Sequence, residues 1–115
     1  MIRAGVVQGD AGRDATLTRT AELAADAARS GATLVVFPET WLPGYPIWLD
    51  VCRDVAIWDS PEVKRVFARY ADESIDVGGA GGKSLSEISA DLKITLVIGV
   101  SERVAAGPGR GTLYK

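Results

Sequence analysis

The chain has 115 residues, 47% of them apolar and 24% charged, with 13 basic and 15 acidic side chains and a net charge of −2. That length fits one domain with a core of its own, and the composition is that of a globular protein rather than a disordered or membrane-embedded one. Neither sign of charge is gathered in a block, which argues against a nucleic-acid or anionic-membrane surface. A single cysteine, Cys52, excludes an internal disulfide, and the absence of histidine puts both a conventional zinc site and a catalytic imidazole out of reach.

Met1 to Val7 carries one early positive charge but lacks the apolar core of about 7–15 residues that marks a signal peptide. No run approaches the roughly 18 apolar residues of a membrane span. A cytoplasmic protein is therefore expected, with no membrane association.

Ile2 to Gln8 is apolar and rich in β-branched residues, which predicts a strand. Asp14 is the expected cap of a helix whose apolar face carries Leu17, Ala21, Ala24, Ala25 and Ala28, with Arg29 in its last turn and Gly31 as its stop. Thr33 to Phe37 is a second apolar run closed by Pro38. Strand, helix and strand at these lengths predict a βαβ unit with parallel strands and a right-handed crossover.

From Trp41 to Asp59 the periodicity is lost, and Trp41, Tyr45, Trp48 and Trp58 crowd a segment broken by prolines and a glycine. A long irregular segment of such aromatic content reads as a functional loop, and a satellite hydrophobic cluster under a loop explains the same aromatics equally well. Ser60-Pro61 then predicts a helix start, followed by Val63, Val66, Phe67, Tyr70 and Ala71 at helical spacing. Gly78 to Gly82 is expected to be a flexible break. Ser84 and Glu87 have the spacing of a capping box before the stripe Leu85, Ile88 and Leu92. Ile94 to Val100 predicts a third strand, apolar enough to be buried on both faces. The Gly107–Gly111 run precedes a strand rather than a helix and lacks the Gly-Lys-Ser/Thr ending, so it reads as a turn and not a phosphate loop. Thr112 to Tyr114 begins a fourth strand. No internal repeat is present.

Glu39 is the residue best placed for chemistry. It follows the second strand at its carboxyl end, where open α/β sheets hold their active sites, and Pro38 keeps Phe37 extended. Apolar and aromatic neighbours are expected to desolvate its carboxylate, which would make it a better proton acceptor. Read from the residues alone, a solvated loop carboxylate or a helix-capping group explains the same position.

The stretch Phe37-Pro38-Glu39-Thr40-Trp41-Leu42-Pro43-Gly44-Tyr45-Pro46-Ile47-Trp48 resembles the segment that carries the catalytic glutamate in nitrilases. Val6-Val7-Gln8, Gly99-Val100-Ser101-Glu102-Arg103 and Gly111-Thr112-Leu113-Tyr114 are similar to three further stretches of that family, in the same order. The Pro-Gly-Tyr-Pro run is similar to the nitrilase branch of the carbon–nitrogen hydrolases rather than to the aliphatic amidases or ureidopropionases.

The resemblance implies an α/β fold, the N-terminal part of an αββα sandwich, with a βαβ start and mostly parallel strands. Residues 1–115 would then be an incomplete carbon–nitrogen hydrolase domain. It implies hydrolysis of a small-molecule nitrile to a carboxylic acid and ammonia by a cysteine, glutamate and lysine, with no metal and no organic cofactor. Glu39 takes the place of the general base. Tyr45 and Trp48 are candidates for substrate binding or for an interface, and a homo-oligomer is the expected assembly. The family's Arg-Lys-Leu-x-Pro-Thr and Cys-Trp-Glu-Asn stretches do not occur in these residues, Lys115 stands in place of an asparagine, and the match covers about the front third of such an enzyme. The isolated chain is therefore expected to be inactive.

Cys52 is not a match for the missing nucleophile. A free cysteine is usually a small buried hydrophobe, and no histidine or nearby lysine stands by to activate it, which leaves a helix N-terminus as the one remaining means. Glu102 is equally consistent with a hydrogen-bonding support for the site and with a surface ion pair to Arg103 or another base. Two other readings compete with the enzyme: a non-catalytic assembly or binding module derived from the same fold, and an unrelated flavodoxin-like α/β domain, which leaves the aromatic segment after Glu39 unexplained.

Overall fold

A computed structural model of the chain describes residues 12–57 and 59–114. The expected first strand, Ile2–Gln8, lies outside these residues, and so does Trp58. Helix α1 runs Gly12–Arg29 and buries Ala24 completely, with Leu17, Ala21, Ala25 and Ala28 half-buried on the predicted face. It begins two residues ahead of the expected cap. Asp14 therefore sits inside the first turn, where its charge meets the positive end of the helix dipole. The backbone N–H of Arg13 is capped from a distance, by Glu73 Oε2 at 2.6 Å, which sequence proximity could not indicate. Gly31, with φ of 86°, turns the chain after the helix as expected.

Strand β1 (Leu34–Val36) pairs in parallel with β2 (Thr95–Val97), Leu34 opposite Thr95 and Val36 opposite Val97. Thr95 N–H donates to the Thr33 carbonyl at 2.7 Å and Phe37 N–H to that of Val97 at 2.8 Å, so the pairing spans the whole predicted Thr33–Phe37 run. The ladder breaks at Pro38 and resumes four residues on, where Leu42 bridges Val100. Leu42 N–H donates to Gly99 O at 3.3 Å and Ser101 N–H to Leu42 O at 2.7 Å.

The aromatic segment is not irregular throughout. It holds a single helical turn, α2 (Trp48–Val51), and a 3-10 turn, Arg53–Ala56. Helix α3 (Pro61–Glu73) starts as predicted: Pro61 is in its first turn and Ser60 Oγ accepts from Val63 N–H. Such a cap contributes about 1 kcal/mol. Its stripe is only half used, since Tyr70 and Ala71 turn inward while Val66 and Phe67 are exposed.

Helix α4 (Ala80–Leu92) departs from expectation. Gly81 and Gly82 belong to the helix rather than to a flexible break. Gly79 is the N-cap residue, and Ser84 lies inside the helix with its Oγ donating to Ala80 O at 3.1 Å. Close packing explains the glycines: a Cβ on Gly81 would lie 2.6 Å from Ile75 Cγ1, and one on Gly82 would lie 1.9 Å from Val77 O.

Strand β2 is also corrected. It is not buried on both faces: Leu34, Val36 and Val97 are 56%, 58% and 50% exposed on one side of the pair. The other side carries Val35, Leu96 and Ile98, which pack with Leu17 and Leu23 of α1 and Leu85 of α4 around a core of Phe37, Trp41, Leu42 and Ile75. Among the described residues the helices therefore cover one face only. Strands β3 (Glu102–Arg103) and β4 (Leu113–Tyr114) form an antiparallel hairpin, and the glycine-rich run between them is a turn, with Gly107 and Gly111 at φ of 83° and 84°. Arg103 pairs with Asp72 at 3.1 Å, not with Glu102. No described helix is long and apolar enough to cross a membrane.

Candidate active site

Two buried rings frame Glu39. Phe37 and Trp41 both enter the core, with centroids 5.0 Å apart, and the residues between them leave the ladder and arch closely over Gly99. Trp41 N–H donates to Pro38 O at 3.3 Å and Gly44 N–H to Thr40 O at 3.0 Å, which closes two successive turns over the arch. Thr40 takes φ of 49°, a left-handed conformation that β-branched residues rarely adopt, and it is fully buried with no hydrogen-bond partner for Oγ1. Glu39, next to it, points out at the carboxyl end of the parallel pair. Its side chain is exposed. The apolar shell expected around the carboxylate is therefore not built by the described residues, because Phe37 and Trp41 turn into the core, Trp48 turns toward α3 and Tyr45 is exposed.

The floor of the arch is Gly99. A Cβ there would lie 2.5 Å from Pro38 O, 2.6 Å from Glu39 Cα and 2.8 Å from Thr40 N. The wall toward α1 is a buried hydrogen bond of 2.8 Å from Trp41 Nε1 to Thr20 Oγ1. Sequence reasoning took Gly99 only as the first residue of the Gly99–Arg103 stretch that resembles the family, and assigned no role to Thr20. Thr20 did carry a signal, since it stands three residues after Leu17 and four before Ala24, on the buried stripe.

Tyr45 is 47% exposed. Its phenol is held above the ordinary tyrosine range by a hydrogen bond to Asp50 first, then by the negative charge of Asp50, with a smaller contribution from Glu39. That places Tyr45 within the electrostatic reach of Glu39. Trp48 is turned the other way: its ring meets Phe67 edge-on at 4.9 Å and Tyr70 at 6.2 Å. The Tyr70 hydroxyl donates to Gly44 O at 3.4 Å, and burial raises its pKa, partly offset by a hydrogen bond with Ser101. Helix α3 thus braces the Gly44-Tyr45 loop from behind.

Cys52 caps α2 and is exposed, not the buried hydrophobe expected of a free thiol. The described lysines are occupied elsewhere: Lys64 pairs with Asp59, Lys83 stands 3.9 Å from Glu87, and Lys93 ends α4 at the opposite end of the sheet from Glu39. Among the described residues no group of three His, Cys, Asp or Glu side chains could hold a metal ion. A cavity of about 240 Å³ lies away from Glu39, between the first turns of α1 and α4, where Arg13, Asp14, Asp76 and Arg103 balance one another's charge.

What the arrangement offers is an accessible carboxylate at a strand end, its backbone packed against Gly99. The carbon–nitrogen hydrolase family model matches residues 3–114, and the chain belongs to that family. It is 37% identical over 91 residues to an arylacetonitrilase of Aspergillus kawachii, covering 79% of this chain and 25% of the relative. It is 38% identical over 92 residues to a nitrilase of Pseudomonas syringae, covering 78% and 25%. An aliphatic nitrilase of Rhodococcus rhodochrous is 35% identical over 92 residues, covering 76% and 23%. The chain thus spans about a quarter of the length of the curated relatives it matches.

Proposed function

We propose that this chain supplies the general base of a nitrile-hydrolysing enzyme, and that Glu39 is that base. The observation that carries the reading is the placement of Glu39, accessible at the carboxyl end of β1 on a turn packed directly against Gly99. The family membership and the nitrilases among its relatives support the same chemistry. Glu39 would take the proton of a cysteine thiol as the sulfur attacks the nitrile carbon. A lysine would stabilise the charge developing on nitrogen, and two waters would then release carboxylic acid and ammonia and return the thiol. The cysteine and the lysine would come from outside these 115 residues, so the isolated chain should not turn over. Tyr45 would line the substrate side of the loop, with Trp48 supporting it against α3. The working form would be a cytoplasmic homo-oligomer.

The test is ammonia release from phenylacetonitrile by the full reading frame that contains this chain, and by residues 1–115 alone. The first should be active and the second inert. Glu39→Gln should lower kcat about 10²–10⁴-fold. Full activity of the Glu39→Gln enzyme would remove Glu39 from the mechanism.

One observation favours a second reading, that of an assembly module. Among the described residues Leu34, Val36 and Val97 leave one apolar sheet face open, and such a face invites association. Light scattering that finds residues 1–115 monomeric at high concentration would count against it.

A further inference from the structure

The backbone that presents Glu39 leaves the parallel ladder after Phe37 and rejoins it at Leu42. Hydrogen bonds hold both ends, from Phe37 N–H to Val97 O at 2.8 Å and from Leu42 N–H to Gly99 O at 3.3 Å. Between them no ladder bond is made, and the arch rests directly on the Cα of Gly99. The three atoms that a Cβ at position 99 would strike are all backbone, at 2.5, 2.6 and 2.8 Å. Real Cβ atoms essentially never come closer than 3.0 Å to another heavy atom, and no side-chain rotation can relieve a collision with backbone. Thr40, next to Glu39 in the arch, is fully buried with φ of 49°. A β-branched residue stays in that region only where its surroundings hold it there.

We propose that Gly99 is a positioning residue for Glu39: the missing side chain lets the Pro38–Thr40 backbone settle onto the sheet, and that depth sets where the carboxylate stands. This rests on the reading of Glu39 as general base. Any side chain at position 99 lifts the arch while the two ends stay hydrogen-bonded, so the carboxylate moves relative to the groups it serves. The loss should fall on the chemical step rather than on substrate affinity.

The experiment compares Gly99→Ala with the unaltered full reading frame in kcat and KM for ammonia release from phenylacetonitrile, with circular dichroism as the check on folding. We expect kcat to fall on the order of 10²-fold, as displacement of a reacting group by about 1 Å does, with KM unchanged. A folded Gly99→Ala enzyme with unaltered kcat overturns the proposal, since a role in stability alone would lower the melting temperature and leave the folded molecules active. Should Gly99→Ala not fold, Thr40→Gly probes the same arch without adding an atom. Lower kcat at unchanged KM supports the proposal there, and unaltered kcat overturns it. Glu39→Gln run alongside separates the two claims. If that enzyme keeps its activity the base assignment fails, and the position of Glu39 is then read from its carboxyl ¹³C resonance in the 115-residue chain. A resonance displaced by Gly99→Ala supports the proposal and an unmoved one overturns it.

Discussion

The indole N–H of Trp41 donates to Thr20 Oγ1 at 2.8 Å, and the Thr20 hydroxyl donates onward to Thr16 O at 2.7 Å. Both side chains are buried, Thr20 completely. This short relay ties the loop after Glu39 to the middle of α1, two elements 21 residues apart in sequence. Thr20→Val keeps the shape but removes the acceptor, leaving a buried indole N–H unpaired at a cost of about 1–3 kcal/mol. Urea unfolding followed by circular dichroism measures it. In a background that already carries Trp41→Phe, the same change should cost clearly less. An equal cost in both backgrounds would mean that the hydrogen bond contributes nothing.

Gly82→Ala sets helix propensity against packing. Alanine in a helix is favoured over glycine by about 1 kcal/mol. Here the added methyl would stand 1.9 Å from Val77 O, a backbone atom that cannot turn aside. Packing should win, and the chain should melt at a lower temperature than the unaltered one. A rise in the melting temperature would show that the first turn of α4 can shift away from Val77 at little cost.

Tyr45 should ionise late. Asp50 holds its phenol protonated through a hydrogen bond and through charge, with Glu39 adding to the effect. Absorbance at the phenolate band, followed through an alkaline titration, should show Asp50→Asn moving one tyrosine down in pH and Glu39→Gln moving the same one less. The sign for stability follows from the raised pKa: the folded chain binds this proton more tightly than the unfolded one. The contribution is complete below the ordinary tyrosine range and disappears as pH rises through the raised value. If Asp50→Asn leaves every tyrosine where it was, the Asp50 contact does not persist in solution.

The strand Leu34–Val36 and the first-turn chemistry of α3 were legible because they depend on residues adjacent in the chain, whereas the parallel pairing of β1 with Thr95–Val97 was not: the expected partner was Ile2–Gln8, which lies outside the described residues, and β2 stands far along the chain. Ser60 and Pro61 specify a helix start wherever it occurs, and the β-branched run Leu34–Val36 bounded by Gly31 and Pro38 specifies a strand. The start of α4 was misplaced for the complementary reason. Gly81 and Gly82 read locally as a break, and only the approach of Ile75 and Val77 reveals that the helix needs residues without side chains there. Strand β2 looked buried on both sides because its apolar run is continuous, yet among the described residues helices α1 and α4 cover one side.

The candidate site divides along the same line. Local order in the sequence by itself determined that Glu39 follows a strand, that proline restricts its approach, and that the motifs around it are those of a carbon–nitrogen hydrolase. Those properties arise from neighbours within a few residues, whose sterics and patterning act wherever the segment is placed. Only the tertiary structure decided what supports the carboxylate: Gly99 beneath its backbone, Thr20 holding Trp41 from α1, and Tyr45 within reach of its charge. Gly99 and Thr20 are 60 and 19 positions away from Glu39, and contacts across such separations are set by how helices and strands pack, which no short stretch of sequence encodes.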